Sequence, residues 1–113
     1  MAAAAQLQRD EERIKKQREE IARLQDVIAA RSTPPEIVCP ITHEIMVDPV
    51  VAADGHTYEH SAMASWLSKN NTSPLTGAIL KHTELTSNHA MRVIVQRFIE
   101  ECKAAGTDPS RLL

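Results

Sequence analysis

The chain holds a single Trp, a single Tyr and a single Phe among its 113 residues. With no series of aromatic faces on which bases could stack, and a net charge of −2, it offers nucleic acid no evident footing. Cysteine is equally scarce. Cys39 and Cys102 fall short of what a disulfide-stapled miniprotein or a Cys-rich zinc site requires. No apolar run has the length of a membrane span. The opening Met-Ala-Ala-Ala-Ala passes directly into charged residues, without the apolar stretch of a signal peptide. The expected setting is therefore cytoplasmic or nuclear, with both thiols reduced. What remains, 42% apolar and 25% charged residues, is the composition of a soluble protein with room for one small domain and an extension.

Three parts follow along the chain. From about Gln6 to Ala30 there is neither Gly nor Pro, and Leu7, Ile14, Ile21 and Ile28 recur every seven residues, with Leu24 at the complementary position. This pattern predicts a charged helix with partial coiled-coil character over residues 1–33. Glu11 with Lys15, Glu12 with Lys16 and Glu19 with Arg23 stand one turn apart in the favourable order. Asp10 and Gln17 interrupt the seam, so two readings stand: a single helix leaning on the next domain, or a homodimer through this segment. Ser32-Thr33-Pro34-Pro35 then ends the helix, since prolines remove amide donors and hold their predecessors extended.

The second part, 34–105, reads as a small α+β domain, and 106–113 as a frayed tail. Pro49 to Ala53 and His56 to Tyr58 flank Asp54-Gly55, a hairpin signature because Gly accepts the positive φ of a tight turn. Met63, Trp66 and Leu67 mark a central helix. Asn88 is placed to cap a last helix in which Met91, Ile94, Val95, Phe98 and Cys102 share a face, until Ala105-Gly106.

Several short motifs fall in this domain. They are Cys39-Pro40-Ile41-Thr42-His43-Glu44-Ile45-Met46, Asp48-Pro49-Val50, Asp54-Gly55-His56-Thr57-Tyr58-Glu59, Trp66-Leu67, Ser73-Pro74-Leu75-Thr76 and Leu85-Thr86-Ser87-Asn88-His89-Ala90-Met91-Arg92. In this order and at this spacing the stretch resembles the U-box, a metal-free relative of the RING finger found in ubiquitin ligases. Laid on the cross-braced RING pattern, the zinc-ligand positions would be Cys39, Thr42, Glu59 and Ala62 in one site and Asp54, His56, Ser73 and Thr76 in the other. Neither set has the Cys and His that structural zinc demands. Asp54, His56, Glu59, Ser73 and Thr76 are suited instead to a polar network of hydrogen bonds and a salt bridge tying the loops together, so no metal and no cofactor are expected.

The resemblance implies a ligase with no catalytic side chain of its own. Such a domain docks a ubiquitin-conjugating enzyme charged with ubiquitin and brings its thioester to a lysine of a protein substrate, by positioning alone. By the same resemblance, the conjugating enzyme would be bound by Ile41, His43, Trp66 and Pro74, with Ile41 as the apolar anchor. Plain core roles for Ile41 and Trp66 are the alternative. Two positions depart from the pattern. His43 stands where several relatives carry a larger apolar residue. Gly77 stands where many active ligases of this class place a basic or amide side chain that clamps enzyme and ubiquitin; Lys81 is the nearby candidate to replace it. The rival to ligase activity is an adaptor that keeps the fold and binds conjugating enzymes or dimerises.

Other chemistries find less support. His56 and His60 are four residues apart, but no second pair of Cys or His stands near them. Cys39 precedes Pro40 in an apolar run, an environment that favours an inert buried thiol over a nucleophile paired with His56.

Overall fold

The computed structural model describes residues 2–107, with side chains described from 11 to 105. Leu7 and Asp10 of the predicted seam, and the tail from residue 108 onward, lie outside the described side chains or residues. The described chain is α1 (Ala2–Arg23), α2 (Gln25–Arg31), a 3-10 turn (Pro35–Ile37), β1 (Pro49–Val51), β2 (Thr57–Glu59), α3 (His60–Leu67), β3 (Thr86–Ser87) and α4 (His89–Thr107). They form two compact units, one from α1, α2 and α4 from Gln96 onward, the other spanning Pro34–Val95.

In the helical unit, the single helix expected from residues 6–30 is interrupted at Leu24, whose φ of −101° and ψ of 12° leave the helical region. Its amide bonds the carbonyls of both Glu20 and Ile21 at 3.1 Å, a local tightening that ends one helix and starts the next. Ile14, Ile21 and Leu24 are half-buried and Ile28 is buried, as are Phe98, Ile99 and Cys102 of α4. Among the described residues, the ion pairs of this unit run between helices, Glu20 to Lys103 at 3.5 Å and Arg31 to Glu101 at 3.4 Å, or along α4, Lys103 to Glu100 at 3.4 Å. None of the pairs expected along α1 forms. Exposed pairs one turn apart gain too little to hold two long side chains in register.

The second unit is built on a three-stranded antiparallel sheet in the order β2-β1-β3. The expected hairpin is present, with Val50 opposite Tyr58 and Gly55 at φ 80° in its turn. Pro49 opens β1, where a missing amide does least harm. Thr86–Ser87 pairs with Val50 and Val51 to add the third strand, which no alternation in the sequence announces. Tyr58, Met63, Cys39 and Met46 are almost fully buried together with the buried Ala52, and Ile41, Trp66, Leu67, Leu80, Leu85 and Met91 pack around them. Each large side chain so buried contributes about 1.5–3 kcal/mol relative to exposure.

The last helix begins as expected. Asn88 Oδ1 accepts the amide of Met91 at 3.0 Å, and the Asn88 amide nitrogen Nδ2 donates to Thr57 Oγ1 at 2.9 Å, which links the cap to β2. Helix α4 continues to Thr107, two residues past Ala105. Its buried face is Val95, Phe98, Ile99 and Cys102, whereas Ile94 is 44% exposed; the buried stripe runs through Ile99 instead.

Candidate functional site

Two loops flank α3. The first, from Val38 to Ile45, is closed by a β-bridge between those two residues. The Cys39 amide donates to the Glu44 carbonyl at 2.9 Å and that of His43 to the Cys39 carbonyl at 2.8 Å. Cys39 is fully buried, and its Sγ accepts the amides of Ile41 (3.4 Å) and Glu59 (3.3 Å). Thr42 Oγ1 accepts the Glu44 amide at 3.2 Å. The tightness of the turn shows at His43, which holds φ 60°, a region that non-glycine residues seldom enter. Behind this loop the Glu59 carboxylate, 6% exposed, accepts the amides of Val47 at 2.7 Å and Asp48 at 2.9 Å. A buried carboxylate with both oxygens engaged by N–H donors holds its backbone partners more firmly than a neutral acceptor would.

The second loop runs from Asn71 to Leu80. Thr72 bridges Ile79, the Ser73 amide donates to Ala78 (2.8 Å), the Leu80 amide to Asn71 (2.8 Å) and the Gly77 amide to Ser73 (2.9 Å). Two side chains bind the loop to the rest of the unit. Trp66 Nε1 of α3 donates to the Thr72 carbonyl at 2.6 Å. Buried Ser73 donates its hydroxyl to Asp54 Oδ2 at 2.7 Å, and the same oxygen accepts the Tyr58 hydroxyl at 2.6 Å. Asp54 Oδ1 accepts the His56 amide at 2.9 Å, and Ser73 Oγ accepts those of Leu75 (3.2 Å) and Thr76 (3.1 Å).

Burial pushes the Asp54 carboxyl up, but the hydrogen bonds from Tyr58, Ser73 and the His56 amide outweigh it and leave the group below its ordinary value. Burial, reinforced by the Asp54 carboxylate, pushes the Tyr58 phenol well above its usual range, so it stays a proton donor.

The structure thus separates the five polar residues of the sequence reading. Asp54 and Ser73 meet through their side chains, while His56 and Thr76 join them by their backbone amides. The Thr76 hydroxyl accepts the Ala78 amide at 3.2 Å within its own loop. Glu59 belongs with Cys39 at the first loop. The salt bridge lies elsewhere, between Asp48 and Arg92 at 3.3 Å. Tyr58 completes the second cluster, and the signal for it was a lone Tyr beside the Asp-Gly turn, since a buried phenol needs an acceptor. Of the four docking candidates, Ile41, Trp66 and Pro74 are half-buried and His43 is exposed. Ile41 and Trp66 both rest on the core cluster, so each has a packing role besides any surface one. Among the described residues, no three His, Cys, Asp or Glu side chains are grouped to hold a metal ion.

Hydrogen-bonded loops beside a short helix and a three-stranded sheet are the frame of the second unit. The U-box domain family model matches residues 33–104, and the chain belongs to that family. It is 49% identical over 71 residues to U-box domain-containing protein 33 of Arabidopsis thaliana, covering 62% of this chain and 8% of that protein. It is 47% identical over 79 residues to the WD repeat, SAM and U-box domain-containing protein 1 of Danio rerio, covering 69% of this chain and 16% of that one. The human protein of the same name is 46% identical over 68 residues, covering 59% of this chain and 14% of its own length. The chain therefore spans less than a fifth of the length of these relatives.

Proposed function

We propose that this chain is a ubiquitin ligase module that docks a ubiquitin-conjugating enzyme charged with ubiquitin and promotes transfer from its thioester to lysines of a protein substrate. The protein acts as a scaffold, with no metal and no covalent intermediate. The observation that carries this reading is that both loops beside α3 are held from behind by hydrogen bonds while Ile41, Trp66, Pro74 and Leu75 keep part of their apolar surface open. A surface fixed before contact loses less conformational entropy on binding. Positioning an amine near a thioester removes much of the entropic barrier to attack.

The test is a reconstituted autoubiquitination assay with activating enzyme, a panel of conjugating enzymes and ubiquitin. The expected result is chelator-resistant chain formation that Ile41→Ala abolishes or strongly reduces. Because Ile41 also packs on the core, the variant is expected to lose about 1–2 kcal/mol of stability, less than a fully buried Ile→Ala change, and its thermal melt must still lie well above assay temperature. Chain formation at the parental rate with Ile41→Ala would refute the anchor role.

One feature favours an adaptor that binds conjugating enzymes with little ligase output. Gly77 offers no side chain to clamp the bound thioester, and open space lies around it. Its φ of 77° makes any replacement strained. Gly77→Arg should therefore raise chain formation only if the gained contact exceeds a backbone cost of about 1 kcal/mol.

A further inference from the structure

Within the helical unit, α1 and α4 border a cleft of about 270 Å³, room for one small polar group or molecule. Arg13, Lys16 and Gln17 line it from α1, and Gln96 and Ile99 from α4. The spacing on each helix is that of a single face turned toward the other, where apolar side chains would close the gap, yet of the lining residues only Ile99 is apolar. The two carboxylates of the cleft, Glu20 and Glu100, are both engaged by Lys103, at 3.5 and 3.4 Å. Arg13 and Lys16 are thus left with no carboxylate among the described residues. Half-buried Arg13 also has its Nη2 buried without a hydrogen-bond partner. A guanidinium nitrogen withdrawn from water with no acceptor is costly to keep, and the charge beside it calls for an anion.

We infer that this cleft is a binding site for a phosphate group, with Arg13 and Lys16 as its charged contacts. A guanidinium fork and an ammonium three residues apart on one helix face are suited to phosphate oxygens. The Gln17 and Gln96 amides add neutral donors from both helices, which fits the several oxygens of a phosphate better than the two of a carboxylate. The site lies within the helical unit and needs nothing of the ligase reading.

The experiment is calorimetric titration of the full chain, at fixed ionic strength and neutral pH, with inorganic phosphate, O-phosphoserine and succinate. The parent is compared with Arg13→Gln, Lys16→Gln and Lys15→Gln; Lys15 is exposed on α1 outside the cleft and matches the change in charge. Saturable binding of phosphate is expected, with Kd raised about tenfold by Arg13→Gln and by Lys16→Gln and unchanged by Lys15→Gln. Without phosphate, Arg13→Gln should melt no lower than the parent, because the nitrogen it loses makes no hydrogen bond. Tighter binding of O-phosphoserine than of phosphate supports the site with an organic phosphate as occupant, and the reverse supports it with the free ion. No saturable binding of either overturns the proposal. So does equal weakening by Lys15→Gln, which is the mark of diffuse charge attraction, or binding of succinate as tight as that of phosphate.

Discussion

At the scale of single residues, Asp54 gathers the Tyr58 and Ser73 hydroxyls and the His56 amide around one carboxylate. Asp54→Asn keeps the shape but loses the charge-assisted bonds, and a cost of about 1–3 kcal/mol is expected in urea denaturation. The folded-state value of this carboxyl lies below that of the unfolded chain. Its contribution to stability is thus whole above the ordinary aspartate value of 3.8 and is lost as pH falls through the folded value. Thermal melts between pH 7 and pH 3 should show a loss at the acid end that is smaller in Asp54→Asn; equal acid sensitivity in the two proteins would remove Asp54 from the account. Cysteine makes a second residue-level case. Both thiols are fully buried, and burial pushes the Cys102 thiol up. Neither is expected to react with a thiol probe at neutral pH until denaturant is added.

At the scale of elements, the sequence carried the parts whose signal is local. The hairpin was legible because Asp54-Gly55 is a turn by backbone chemistry alone, and the start of α4 because Asn88 is a cap followed by an apolar stripe. Asn88→Ala is expected to cost about 1 kcal/mol for the cap, and somewhat more because Thr57 loses its partner too; a guanidinium titration measures it. The break at Leu24 was not legible, since leucine is a good helix former and nothing near it forbids continuing. Strand β3 was hidden for a different reason. Two exposed residues have no alternation to read, and they are a strand only because Val50 and Val51 offer them a ladder. The buried position of Ile99 in place of Ile94 reflects the latitude of a helical face, where neighbouring stripes differ by little in pattern and are chosen by what packs on them. In the candidate site, the residue types did not show that His56 and Thr76 would contribute amides, because backbone donors leave no mark in the choice of side chain.

At the scale of the whole molecule, the described apolar positions of α1 and α2 and the break between them, Ile14, Ile21, Leu24 and Ile28, are already partly or fully buried, Ile28 at 6% exposure. The ordinary driving force for a coiled coil is correspondingly reduced. Sedimentation equilibrium at micromolar concentration is expected to show a monomer, and a dimer that Ile14→Asp converts to monomer would restore the alternative. The relatives set these few helices and strands within much longer proteins, of which the matched region is less than a fifth.

Trp66 is the only tryptophan of the chain, and its indole is bonded to the carbonyl of Thr72 at the root of the second loop. The protein consequently carries its own optical reporter at one defined place. Any partner that shields the indole, or any opening that frees it from Thr72, changes its emission without a label. The condition of a single loop can therefore be followed in time simply by exciting the protein near 295 nm, where tyrosine absorbs little.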